Sequence, residues 1–447
     1  MNTSCSFQRV RFARSFSTSS LHSLVYDIIA NRSMKLKEKF FKILRYSEKY
    51  TKTDMVYLAK GGFWLSFGKV VSVILSFLLA LAFANLVSKE TYGTYKYILS
   101  LGGILAIFTL PEISTSLIRS IARGYEGSFI PALKTRLRWG ILTTLASGTL
   151  SVYYFIHDNS LLAVSFLIMA FFLPFLSSFE TYSALWQGRK KFDVSAKYNI
   201  ISQLFPTLAL IIALFLTKNV LLILLIYYFS YTLSHFILLR LTIKKADLSK
   251  GKDPATIPYG KHLTLMNIIG LVAKNIDKIL LWHFLGAIPL AIYSFAVVPV
   301  EKIGDVLRTT KILALPKLSQ NKETKIKKIL LKKVFKFFLI IIPIVLFYIL
   351  LAPFIYRIAL PQYLDSIPFS QVFALTLLFV PMVLLSTSLT AQMKKKELYQ
   401  LNIISPIIKI ILLFVFLPLY GIWGAIFSLL ISEFVKLFLL LFLFKRA

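Results

Sequence analysis

Apolar runs about twenty residues long recur down the whole chain, separated by short polar stretches, and that pattern leaves few folds open. A run of this length crosses a bilayer core as one helix. A spanning helix satisfies its own backbone hydrogen bonds where no water is present. Of the 447 residues, 57% are apolar, more than a soluble chain of this length can hide. Twelve runs stand out, at 61–84, 94–116, 139–156, 161–187, 198–216, 220–243, 259–283, 289–313, 334–356, 366–391, 398–417 and 421–444. The expectation is an all-α membrane protein with twelve transmembrane helices.

The connections test this count, because charge was not used to find the runs. The odd-numbered ones are poor in basic residues: NLVSKETYG, HDNS, TKN, HFLGAI, RIALPQYLD and PLYG. The even-numbered ones are rich in them. Arg119, Arg123, Lys134, Arg136 and Arg138 follow the second run, and Arg189, Lys190, Lys191 and Lys197 the fourth. The same holds after the sixth, eighth and tenth runs, and the chain closes on Lys445 and Arg446. Basic residues collect in cytoplasmic loops, so both termini are expected in the cytoplasm. The net charge of +33 then belongs to the membrane surface, and no nucleic-acid partner is implied. All external loops are short.

Residues 1–60 form a basic N-terminal tail. Its first 33 residues are rich in Arg and Ser, like an organellar transit peptide, but translation starting at Met34 is the preferred reading. Residues 35–50, KLKEKFFKILRYSEKY, make a basic amphipathic stretch suited to an anionic membrane surface or to a solvated tail. A single cysteine, Cys5, excludes a disulfide framework. The histidines show no ligand spacing, and no GxxxxGK[ST] motif is present, so neither metal nor directly bound ATP is expected, and no cofactor.

The tetrapeptide NIIS occurs at 199–202 and again at 402–405, an offset of 203, each time just after a basic connection. A second pair, LVSKETYGTYKYI at 86–98 and FLGAIPLAIYSFA at 284–296, aligns without gaps at an offset of 198. That alignment sets Gly93 over Ala291 and Tyr95 over Tyr293. Concordant offsets at equivalent positions indicate two parallel six-helix repeats: an N-lobe at 61–243, a linker at 244–258 and a C-lobe at 259–447. An even number of helices per copy gives both copies the same orientation, with a substrate path between them.

Ionisable residues inside spans cost several kcal/mol in lipid and should face the protein interior. Ser66, Lys69, Ser72, Ser76 and Ala80 form a polar stripe on the first span, and Glu112 follows Pro111 in the second. Asn267, Gly270, Lys274, Asp277 and Lys278 share a face of the seventh. Ser294, Val298, Glu301, Asp305 and Arg308 do so on the eighth, and Asn402, Ser405 and Lys409 line up on the eleventh. Local pairing is one account: Lys274 with Asp277, or Glu301 and Asp305 with Arg308. Lys69 and Lys409 have no acid three or four residues away, which favours a lumen that receives an anionic group such as a pyrophosphate. Arg119, Arg308, Glu433 and Lys436 lie near span ends, where they could reach the interface. Prolines at 111, 174, 206, 299, 343, 381 and 406 could bend helices during an access change.

Twelve spans in two halves, SKETYGTYKYI after the first helix, LGAIPLAIYSFAVVP after the seventh and YGIWGAIFSLLISEFV in the last together resemble the Wzx-like oligosaccharide flippases. These are the polysaccharide biosynthesis membrane proteins of the multidrug/oligosaccharidyl-lipid/polysaccharide exporter superfamily. The resemblance covers about residues 55–447. It implies a V-shaped pair of six-helix lobes around a cationic cavity. It also implies that the chain flips undecaprenyl-pyrophosphate-linked oligosaccharide across a bacterial cytoplasmic membrane by alternating access, without enzymatic chemistry. Lys69, Lys274, Lys409 and Arg308 would hold the substrate; Glu112, Asp277, Glu301 and Asp305 would balance charge or couple an ion. Partners would be the polyprenyl-pyrophosphate-linked glycan, membrane lipids and other polysaccharide-assembly proteins. Lys69 stands where drug exporters of the superfamily typically place an acid, which argues against a cationic drug. A lipid II flippase, a cation-coupled drug exporter and a membrane glycan polymerase or ligase are the alternatives.

Overall fold

A computed structural model describes residues 55–248, 251–308, 323–392 and 394–446. The N-terminal tail up to residue 54, residues 249–250 of the expected linker and residues 309–313 of the eighth expected span lie outside the described residues. Everything built from the described residues is helix and connecting turn.

Among the described residues twelve rods follow one another. They are α1 (Met55–Leu86), α2 (Lys89–Thr109 and Ile113–Ala122), α3 (Phe129–Ile156), α4 (Ser160–Gly188), α5 (Phe192–Leu216) and α6 (Val220–Lys245). The second half has α7 (Thr256–Leu285), α8 (Ala287–Arg308), α9 (Glu323–Ala359) and α10 (Ser366–Thr390). The last stretch, Lys395–Arg446, is two helices joined at Gly421, whose φ of 58° and ψ of −133° are non-helical. They are α11 (395–420) and α12 (422–446). A positive φ costs an L-residue steric strain that glycine escapes, so one residue turns the chain back here.

The repeat expected from the sequence has a structural counterpart. α8 opens 198 residues after α2, and α11 opens 203 residues after α5. In the first half α3 packs on α4, and α6 on both α4 and α5. In the second half α9 packs on α10 and α10 on α12.

Helix breaks fall where the chain cannot continue its ladder. α2 bends by 51° around Leu110 and Pro111, with Leu110 at a φ of 53°. Proline removes a backbone donor and clashes with the preceding turn. The buried Arg136 of α3 donates from Nε to the Thr109 carbonyl and from a terminal nitrogen to Ser114 and Thr181. The first of these bonds occupies a carbonyl that the broken ladder leaves open; the other two hold the Ser114 and Thr181 hydroxyls. In α10 the segment Ala374–Met382, containing Pro381, is wound as a 3-10 helix. Pro174, Pro206, Pro299 and Pro343 instead sit inside continuous helices.

The apolar cores show how the halves are joined. The turns at 87–88, 157–159, 217–219, 286 and 360–365, with Gly421, define a base-poor face. The opposite face carries the basic connections. Toward the base-poor face one continuous core draws on both halves, uniting Phe83, Tyr95 and Ile98 with Leu281, Tyr293 and Phe295. Toward the basic face there are two cores. One, around Leu117, Leu185 and Trp186, belongs mainly to the first half; the other, around Leu385, Leu389 and Leu440, belongs to the second. The lobes therefore share a vertex and have separate arms, with α2 running between them against both α8 and α7.

Candidate functional site

The base-poor vertex is tightly closed. A Cβ added to Gly93 of α2 would collide with the Ala287 carbonyl at the start of α8, so only glycine lets these backbones meet. Tyr92 stacks obliquely on Phe295 at 4.5 Å, and Phe295 on Tyr363 at 4.0 Å. Lys89 forms a 2.8 Å ion pair with Asp365, and the Asn85 amide donates to the Ala359 carbonyl at 3.0 Å.

Two charged cavities, one in each half, take in most of the candidate residues. The larger, about 480 Å³, is bounded by α1, α4, α5 and α6, with Lys302 of α8 on its far wall. The smaller, about 170 Å³, lies among α7, α8, α10, α11 and α12. Lys274, Asp277, Glu301, Arg308 and Lys409 all line the smaller one, so the structure gathers five of the candidate residues around one space. Glu433 of α12 joins them there.

Lys69 lines the larger cavity, and its charge is matched across the lobes. Its ammonium lies 2.9 Å from Asp305 of α8, a partner 236 residues away. Arg308 approaches the other oxygen of Asp305 at 3.8 Å. The Lys69 and Asp305 side chains are 37% and 36% exposed, so the pair resembles a surface ion pair in strength, on the order of 0.2–1 kcal/mol.

Asp277 is different. It is 3% exposed, accepts from the Tyr293 hydroxyl at 2.6 Å and lies 3.6 Å from Lys278. Its ion partner is therefore Lys278, where spacing along the helix had suggested Lys274. Its second oxygen is buried without a hydrogen-bond partner. Lys409 donates to the Ala273 carbonyl at 2.6 Å, one turn above Asp277. Glu112 stands apart from both cavities: it accepts from Asn267 of α7 at 2.9 Å and from Thr115 at 2.8 Å, tying the lower part of α2 to α7.

Three further ionisable residues lie within the spans, two of them lining the larger cavity. Lys302 reaches Ser76 of α1 at 3.4 Å, Glu180 lines the larger cavity beside the break in α4, and Lys96 of α2 faces the ring of Tyr92. Lys302 falls off the helical stripe through Glu301, and Lys96 lies inside the turn motif. Depth in the membrane, not spacing, was the signal that could have found them.

Comparison with known proteins follows this geometry. The sequence profile described as polysaccharide biosynthesis protein matches residues 58–307. No curated protein matches the chain in sequence. Among solved structures, the lipid II flippase MurJ in its inward closed conformation is similar with a TM-score of 0.66 at 17% identity, covering 85% of this chain and 86% of that one. An outward-facing multidrug resistance transporter of the MATE family gives 0.63 at 14% identity over 87% and 96%. A superfamily transporter from Pyrococcus furiosus, described as having a binding pocket of reverse polarity, gives 0.60 at 14% identity over 87% and 97%. The chain thus has the fold of the multidrug/oligosaccharidyl-lipid/polysaccharide exporters, and it belongs to the polysaccharide biosynthesis protein family.

Proposed function

We propose that the protein is a flippase that carries undecaprenyl-pyrophosphate-linked oligosaccharide from the inner to the outer leaflet of a bacterial cytoplasmic membrane. One observation carries this reading: a single core closes the base-poor end of both halves, while toward the basic end the cores are separate and each half holds a charge-lined cavity. With the basic face cytoplasmic, this is a transporter open toward the side where a lipid-linked precursor is made. The lobes at 61–243 and 259–447, joined by 244–258, would rock against each other.

Lys274, Lys409 and Arg308 would receive the pyrophosphate in the smaller cavity, with Asp277 and Glu301 as resident counter-charges. A lysine is a compact point charge that can hold a phosphate and release it. Lys69 and Asp305 would part as the lobes move. Glu112, through Asn267, would keep α2 in register with α7.

The test uses a strain lacking the gene, complemented with Lys69→Ala or Lys409→Ala at normal protein level and scored for surface glycan. Loss of at least tenfold is expected for each. Full restoration by both variants refutes the lumen assignment. Cell lysis on depletion would point to a peptidoglycan precursor instead, altered drug tolerance to a drug exporter, and unpolymerised glycan on the outer face to a polymerase or ligase.

A further inference from the structure

The internal repeat supplies a control for what the fold itself requires. The cavity against the first half has a counterpart in the second, about 340 Å³, among α10, α11 and α12. Five lining residues on α5 correspond at the repeat offset of 203 to five on α11: Ser195 to Leu398, Tyr198 to Leu401, Asn199 to Asn402, Ser202 to Ser405 and Gln203 to Pro406. The Asn and Ser shared by both copies are the ends of the NIIS repeat, and they belong to the common architecture. The Ser, Tyr and Gln of the first copy are additions, since Leu, Leu and Pro serve in the second.

The neighbouring helix departs in the same direction. At the same offset Ser183 of α4 corresponds to Ser386 of α10, each lining its cavity, whereas Tyr182 and Trp186 line the first cavity and correspond to Leu385 and Leu389. Tyr227 and Tyr231 of α6 complete an aromatic wall in the first. Tyr198 packs on Trp186 and Tyr182 with ring centroids 5.7 and 6.0 Å apart. It is only 8% exposed, yet its hydroxyl has no hydrogen-bond partner. A buried hydroxyl left unpaired costs free energy that a bonded ligand would recover.

We infer that this first-half cavity is a subsite for an uncharged sugar ring of the transported glycan, separate from the charged cavity that takes the pyrophosphate. Rings of Tyr and Trp offer flat apolar faces for the C–H side of a pyranose, and Asn199, Gln203 and the serines offer donors and acceptors for its hydroxyls. Of the two ammonium groups at its edge, Lys69 is paired with the Asp305 carboxylate and Lys302 reaches only the neutral Ser76 hydroxyl, its charge being opposed in sign by Glu180 on the same cavity wall. An acidic sugar would meet that carboxylate, whereas a neutral one needs only the hydroxyls and amides. The volume suits a small-molecule site, which runs to about 300–1,000 Å³. This inference rests on the flippase reading.

The experiment is saturation-transfer NMR on the full chain in lipid nanodiscs, with free N-acetylglucosamine, glucose and glucuronic acid as probes. The neutral sugars should bind the wild type and resist displacement by inorganic pyrophosphate. Tyr198→Phe removes only a hydroxyl without a partner, so its thermal unfolding should lie at or above the wild type's while neutral-sugar affinity falls roughly five- to tenfold. Gln203→Leu should act in the same direction. The subsite is overturned by equal binding to wild type and both variants, by no neutral-sugar signal in the wild type, or by preference for glucuronic acid. Complementation of surface glycan judges the flippase reading separately, so either idea can fail alone.

Discussion

At the scale of single residues, two aspartates in the same membrane interior should behave very differently. Asp277 is nearly sealed from solvent beside Tyr293 and Lys278. Removing one partner of such a buried pair leaves an uncompensated charge and costs about 3–5 kcal/mol. Asp305 faces a cavity, and its pair with Lys69 is partly exposed, so Lys69→Ala should cost about 1 kcal/mol or less. Thermal unfolding in detergent checks this: Asp277→Ala should melt far below wild type and Lys69→Ala close to it. Equal shifts would contradict the assignment. Spacing along the sequence identified both aspartates as interior groups but could not give their partners. The partners come from other helices or a neighbouring position: Tyr293 from α8 and Lys278 next to Asp277, and for Asp305 a lysine 236 residues distant.

Asp253, in the connection before α7, carries a pH dependence. The Ala255 backbone N–H and the Ser120 hydroxyl, with Arg123 and Arg119 nearby, hold its carboxyl below the usual carboxylate range. A depressed folded-state pKa adds stability above the unfolded value, about 3.9, and that stability is lost as pH falls through the lower folded value. Asp253→Ala should therefore melt below wild type at neutral pH, with the gap closing as pH falls under about 4. A gap that stays constant across this range would exclude the carboxylate as its source.

At the scale of elements, the sequence announced the rods but not their joints. Apolar length shows where lipid must be crossed, and each expected run is built of helix over its described residues, the second broken at 110–112 and the fourth at 180–181. Their ends extend beyond the runs, as in α3, which begins at Phe129 where the run began at 139. Charged residues there sit in helix because they reach interfacial water, as Lys134 does, or are bonded inside the protein, as Arg136 is. Of the seven prolines, Pro111 coincides with the sharp break, where Arg136 of a neighbouring helix takes up the freed Thr109 carbonyl. The contact of α2 with α8 depends on Gly93. Gly93→Val should force the two helix starts apart, and spin labels on the outer ends of α1 and α9 should report a longer distance, with transport reduced. An unchanged distance would mean that the vertex tolerates a side chain there.

At the scale of the whole molecule, a shared core at one end and divided cores at the other make two states available, and weak bonds at the vertex set their balance. The Lys89–Asp365 pair is partly exposed and so contributes on the order of 0.2–1 kcal/mol, which corresponds to a population shift of up to about fivefold. Lys89→Glu should favour the form open at the base-poor face by about that factor, and adding Asp365→Lys should restore the original balance. Distance distributions between labelled lobes read both. The halves themselves were legible from the NIIS repeat and the alternating charge, whereas the size of the cavities was not. Cavities arise from how far α1 stands from α4 and α5, and no pattern along a single helix encodes that distance.

α2 touches α8 near one face and α7 along much of its length, and Glu112 with Asn267 fastens the second of these contacts. Such a helix acts as the spine of a book. Pages do not separate from a spine; they swing about it, and the outer margin travels farthest. A pair of labels on α2 and α7 should then keep its separation through the transport cycle, while a pair on α5 and α11 records the widest excursion.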